Sequence, residues 1–119
     1  MKINISHHIF AIGTVELIFD ANDKREILTF NRSKYGIEDF LKKLNNMSNR
    51  DNIIINDNPY FVFSKKQIKY YIKNYIIEDI QENLQQIIFE YDELKERIYN
   101  EIKCKFKGDS KCIIKNINV

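Results

Sequence analysis

Apolar and polar residues alternate through the first third of the chain, and the period becomes helical near residue 37. Ile3 and Ile5 sit between polar neighbours, and Ile9–Ile12 is a short apolar run that Gly13 interrupts, as at a bend or bulge. Val15-Glu16-Leu17-Ile18-Phe19 and Ile27-Leu28-Thr29-Phe30 flank the polar stretch Asp20–Lys24, which predicts a β-hairpin. Ile37, Phe40, Leu41 and Leu44 then share one side of a helix that ends near Met47. A polar loop, Ser48–Asn52, leads to a second predicted hairpin, Ile53–Ile55 and Tyr60–Phe63 around Asn56-Asp57-Asn58-Pro59.

From Tyr60 to Lys107 the chain has neither Gly nor Pro, and helix punctuation frames the stretch. Ser64 and Gln67 have the spacing of a capping box, with Phe63 and Ile68 at the positions of a hydrophobic staple. Lys103, Lys105 and Lys107 suit the negative end of a helix, and Gly108 suits its termination. Ile77, Ile80, Leu84, Ile87, Tyr91, Leu94 and Ile98 step by three and four, as in a coiled-coil seam. Upstream, Ile68, Tyr71, Ile72 and Tyr75 keep a different register, with Lys73 at the seam position. A single straight helix over 65–107 would be ~64 Å long, far beyond the ~13–14 Å radius of gyration of a compact domain this size. The helix therefore either breaks near Lys73-Asn74 or projects and pairs with a second copy through the seam. Residues Cys112–Val119 form a candidate edge strand.

These elements predict an α+β fold: a small antiparallel sheet of two hairpins with one amphipathic helix, then a long helical C-terminal half. One domain is expected over 1–119, mainly β in 1–63 with a helix at 37–47, helical in 64–107, and ending in a 108–119 tail. The 119 residues are 44% apolar and 30% charged, which suits a folded soluble chain. No apolar run is long enough for a membrane span, and no signal-peptide core opens the chain. A cytoplasmic protein is expected. Cys104 and Cys112 then read as free thiols, although they flank the Gly108 turn closely enough to bridge.

Charge is laid out in blocks. Residues 1–64 balance at zero, 65–75 carry +4, 76–101 carry −6 and 102–119 carry +4, summing to the net +2 of the chain. With Ile77 at the first seam position, Glu78, Asp79, Glu82, Asp92, Glu93 and Glu96 fall on the outer face, with Phe89 among them. An aromatic ring among carboxylates suits a basic protein partner: charge steers the encounter and the ring anchors it. Charged outer faces are more often simply solvated. Lys65, Lys66, Lys69 and Lys73, interleaved with Tyr70 and Tyr71, form an alternative face for nucleic acid. Lysine stems covering core tyrosines are the commoner arrangement.

Little else points to chemistry. His7-His8 are adjacent, so on a strand they face opposite ways, and no paired ligand spacing supports a metal site. Glu16, Asp20 and Glu26 gather around the first hairpin, where acids commonly serve solubility. There is no G-x-S-x-G, no P-loop and no Gly-rich phosphate turn. No enzyme and no cofactor are expected. The 22 Ile, 15 Lys and 14 Asn against 2 Ala are the residues of A/T-rich codons, in keeping with a low-GC or horizontally acquired accessory gene. The expected function is non-catalytic: an inhibitor that binds a basic protein, such as an immunity protein against a nuclease-type toxin or a phage inhibitor of host defence. A small nucleic-acid-binding regulator is the alternative.

Overall fold

A computed structural model describes residues 2–83 and 88–107; for Asn83, Ile88, Phe89 and residues 104–107 it describes the backbone only. The fold is mixed α+β, with five strands in two antiparallel sheets among the described residues. The chain divides into two compact units, Met1–Lys65 and Lys66–Val119. Among the described residues no helix is long and apolar enough to cross a membrane.

The first unit opens with a meander of β1 (Asn4–Ile9), β2 (Thr14–Ala21) and β3 (Lys24–Asn31), in the spatial order β1-β2-β3. Strand β2 is central and shows the strict alternation of a half-buried strand, with Val15, Leu17, Phe19 and Ala21 buried. Val15 lies opposite Phe30 and Leu17 opposite Leu28, so the register puts both apolar sets on one face. The first hairpin is tighter than the expected Asp20–Lys24 turn. Asp20, Ala21 and Lys24 join the ladder, leaving only Asn22 and Asp23 outside it. Asn22 takes a left-handed φ of 57°, which Asn tolerates better than most residues. Gly13, at φ 96°, makes the bend between β1 and β2.

Helix α1 (Lys34–Met47) begins three residues before the apolar period does. The Ser33 hydroxyl accepts the Gly36 N–H at 3.0 Å and caps it. Ile37, Phe40, Leu41 and Leu44 are buried, as the period requires, and the Phe40 ring stacks on Phe30 of β3 at 4.4 Å. A Cβ on Gly36 would stand 2.4 Å from the Asn31 carbonyl oxygen, so the start of α1 approaches the end of β3 as closely as glycine permits.

The second hairpin is β4 (Asn52–Ile54) against β5 (Val62–Ser64). Its strands are shorter than the apolar runs, because Ile55–Asp57 forms a turn with Asn56 and Asp57 left-handed, at φ 50° and 59°. Asn56 and Asn58 donate to the Glu26 carboxylate at 3.0 and 2.8 Å, and Asn56 donates also to the Ile27 carbonyl at 3.1 Å. These bonds tie the loop to β3. The two amides also hold the Glu26 carboxyl below its ordinary pKa, the Asn58 bond contributing most.

Lys65 completes this unit. Its backbone N–H donates to the Asp51 carbonyl at 2.7 Å. Its buried ammonium donates to the carbonyls of Asn45, at 3.3 Å, and Ser48. Those oxygens end α1, which has no basic residue in its own last turn. A distant lysine thus serves as the C-terminal cap.

The second unit is helical in its described residues. Helix α2 (Lys65–Tyr71) passes through a π-type turn, Ile72–Ile76, into α3 (Ile77–Asn83). The widened turn lies at Lys73-Asn74, where the two apolar registers conflict. The axis does not break there: Tyr71 and Ile77 both keep right-handed helical dihedrals, and one extra residue absorbs the shift. Helix α4 (Ile88–Lys107) runs back along the others. Lys69 meets Glu101, Lys73 meets Tyr99, Glu78 meets Lys95 and Gln81 meets Asp92. As one partner's number rises the other's falls, the signature of an antiparallel pair. The seam is accordingly divided between facing helices, with Ile77 and Ile80 buried on α3 and Tyr91, Leu94 and Ile98 buried on α4. Leu84, Ile87, Gly108 and the expected Cys112–Val119 strand lie outside the described residues.

Two outcomes follow for the first unit. Gly36→Ala should lower stability by about 1–3 kcal/mol, the scale of overpacking, read as a lower thermal midpoint. For Glu26 the folded pKa is depressed, so its stabilisation is present above the unfolded value and lost as pH falls through the folded one. Glu26→Gln should lower the midpoint at neutral pH and flatten its fall on the acid side. An acid limb identical to wild type would show that the amide pair does not hold this carboxylate.

Candidate functional site

The acidic residues singled out in the sequence sit on two antiparallel helices, not along one. Glu82, Asp92, Glu93 and Glu96 are exposed, as is Glu90. Glu78 and Asp79 are half-buried, and Glu78 is engaged by Lys95. Phe89 belongs to α4, and its side chain lies outside the described residues.

One flank of the helix pair gathers groups of mixed charge. Lys73, Asp92, Lys95, Glu96 and Tyr99 line an open cleft of about 380 Å³. The Lys73 ammonium stands 4.2 Å from the centre of the Tyr99 ring and 6.0 Å from that of Tyr70, both rings being about half exposed. The π-type turn sets this geometry, because it carries Lys73 and its Asn74 side chain donates to the Tyr70 carbonyl at 2.9 Å. Glu78–Lys95 and Gln81–Asp92 continue the polar stripe toward the far end of α3. Tyr71 and Tyr75 are offset from it, their rings 4.9 Å apart. Burial pushes the Tyr71 phenol up, with further contributions from Tyr75 and Asp79.

The lysine–tyrosine set is dispersed. Lys65 is buried at the end of α1, and Lys69 is 1% exposed with its ammonium on Glu101. Lys66 is half-buried, while Lys73 lies over Tyr99. Two of the four charges therefore point inward to carbonyl or carboxylate oxygens and are withheld from an external phosphate. Helical spacing placed them together in the sequence, but it does not reveal which lysines have an internal acceptor.

His7 and His8 occupy successive β1 positions, opposite Leu17 and Glu16. Glu16, Asp20 and Glu26 do not form a common cluster: Asp20 pairs with Arg25 at 2.7 Å, and Glu26 holds the two asparagines. Among the described residues no three His, Cys, Asp or Glu side chains are grouped as metal ligands. Lys95 and Tyr99 escaped the sequence reading. Their role depends on the chain reversal between α3 and α4, and a three-four spacing is the same in a straight helix and a folded one.

Glu101→Gln should leave the Lys69 ammonium without its carboxylate and cost about 1–3 kcal/mol, the scale of a charged hydrogen bond with a buried donor. Glu96→Gln, on an exposed carboxylate, should change stability by less than about 0.5 kcal/mol. Equal midpoints for the two variants in thermal unfolding would contradict this assignment. No protein-family model matches this chain, and neither a curated protein nor a solved structure matches it.

Proposed function

We propose that this is a cytoplasmic, non-catalytic protein that binds and neutralises a basic protein, with α3 and α4 as the docking surface. The observation that supports the reading is the number of exposed carboxylates on α3 and α4, Glu82, Glu90, Asp92, Glu93 and Glu96, of which Asp92 and Glu96 line one cleft with the half-exposed Tyr99 ring. The carboxylates raise the encounter rate with a cationic surface, and aromatic rings supply the desolvated anchor that sets the dissociation rate. Tyr99 is one anchor. Phe89 is the other, on the strength of its heptad position. Helices held by apolar contacts and ion pairs suit such a role, since a preorganised surface loses little entropy on binding. A toxin–immunity pair with a nuclease-type toxin is the concrete version, and an inhibitor of a host defence protein uses the same physics.

Co-expression with a basic nuclease-type protein encoded by the adjacent gene is the test. Protection of the host and a stable complex are expected. Tyr99→Ala should speed dissociation and cost about 2 kcal/mol or more of binding. Glu93→Lys with Glu96→Lys should slow association and weaken its salt dependence, with the fold of the free protein unchanged. Absence of a complex, together with tight and salt-sensitive binding of a labelled oligonucleotide, would replace this reading by the nucleic-acid one.

A further inference from the structure

The cleft on the flank of the helix pair already holds a cation, and that cation belongs to the chain itself. The Lys73 ammonium lies 4.2 Å from the centre of the Tyr99 ring, within the reach of a cation–π contact. Tyr99 is still 46% exposed, so the lysine does not close the ring off from an incoming group. The Tyr70 ring, on α2, is 6.0 Å from the same ammonium and 53% exposed. Lys73 therefore has two rings within reach. Leaving Tyr99 does not strand its charge, because Tyr70 offers the same kind of contact.

The rest of the lining decides which sign of group can enter. Asp92, Lys95, Glu96 and Tyr99 recur every three or four residues and so share one face of α4. Lys95 is paired with Glu78 of α3, and the two charges cancel. Asp92 accepts from the Gln81 amide, a neutral donor that leaves the carboxylate its charge. Glu96 is exposed. Once Lys73 moves to Tyr70, Asp92 and Glu96 line the cleft beside an uncovered ring. An anion would meet both carboxylates there, whereas a cation meets two carboxylates and the face of an aromatic ring.

We propose that this cleft is an arginine-recognition site, in which the guanidinium of an arginine on another protein replaces Lys73 over Tyr99 and donates to Asp92 and Glu96. It rests on the docking surface proposed above, and adds which residue of the basic partner is read. Arginine is favoured over lysine because its planar group stacks on the ring while its edge donors reach the carboxylates. A lysine would only exchange one ammonium for another. Lys73 is thus a placeholder that sets a threshold for entry: the ring is released to a group that binds it better than an ammonium does. The π-type turn supplies the device, since it carries Lys73 to this position.

Fluorescence anisotropy of labelled arginine and lysine nonapeptides, titrated with the full chain at physiological salt, is the test. The arginine peptide should bind about threefold or more tighter than the lysine peptide, the scale of a cation–π contact at an exposed site. Tyr99→Leu should remove that preference and leave the lysine peptide unaffected. Lys73→Gln should raise arginine affinity by more than Lys42→Gln, which removes the same charge from α1. In the wild type, the nuclear magnetic resonance signals of the Lys73 methylene next to the ammonium should move as the arginine peptide is added. That measurement needs no variant, and signals that stay fixed through saturation would overturn the proposal. So would an arginine preference that survives in a folded Tyr99→Leu protein, or a loss of arginine affinity in Lys73→Gln. Equal binding of the two peptides by the wild type would remove the arginine site and leave the acidic docking surface standing. Binding of neither would remove both.

Discussion

The apolar stripe from Ile77 to Ile98 has to be covered, and the second unit is arranged around that requirement. Ile77, Ile80, Tyr91, Leu94 and Ile98 are all buried within a single chain, because α4 returns along α3 and α2. Burying side chains of this size contributes about 1.5–3 kcal/mol each, far more than the exposed ion pairs beside them. The polar contacts act on register instead. Lys69–Glu101 and Glu78–Lys95 flank the apolar contacts and select one antiparallel alignment among those the stripe alone permits. The same folding brings Lys73 to Tyr99 and so creates the mixed-charge cleft.

Much of the first unit was legible residue by residue. The two-residue period of Val15–Ala21 and the helical period of Ile37–Leu44 are local signals, and each became the buried face it implied. What local signals left out was reach. The start of α1 depends on Ser33, which stands outside the apolar period, and its end depends on Lys65, far along the chain. Both are polar contacts whose partner is named by the fold, not by spacing.

The second unit was legible in pattern and not in direction. The register conflict at Lys73-Asn74 was visible, and it corresponds to the π-type turn. Reversal between α3 and α4 was not, since the stripe repeats without interruption through Leu84 and Ile87. That one ambiguity rearranged the candidate sites. It put Glu78 beside Lys95 and drew Lys69 inward to Glu101, dividing a lysine cluster that looked continuous on a helical projection. It also means that the described seam residues, Ile77, Ile80, Tyr91, Leu94 and Ile98, find their apolar counterpart in their own chain.

The clasp at Glu26 gives the protein a chemical clock. Asn56 and Asn58 hold the second hairpin by donating their amides to one carboxylate, and Asn56 sits in an exposed left-handed turn. Slow hydrolysis of the Asn56 amide, which unlike Asn58 is not followed by proline, would turn a donor into a second carboxylate facing the first. Attraction would become repulsion at the point where the loop meets β3, and the Ile27 carbonyl would lose its cover. An aged molecule would keep its core and its helices while its second hairpin came loose, so the loss would begin at the edge of the sheet that the asparagines now close.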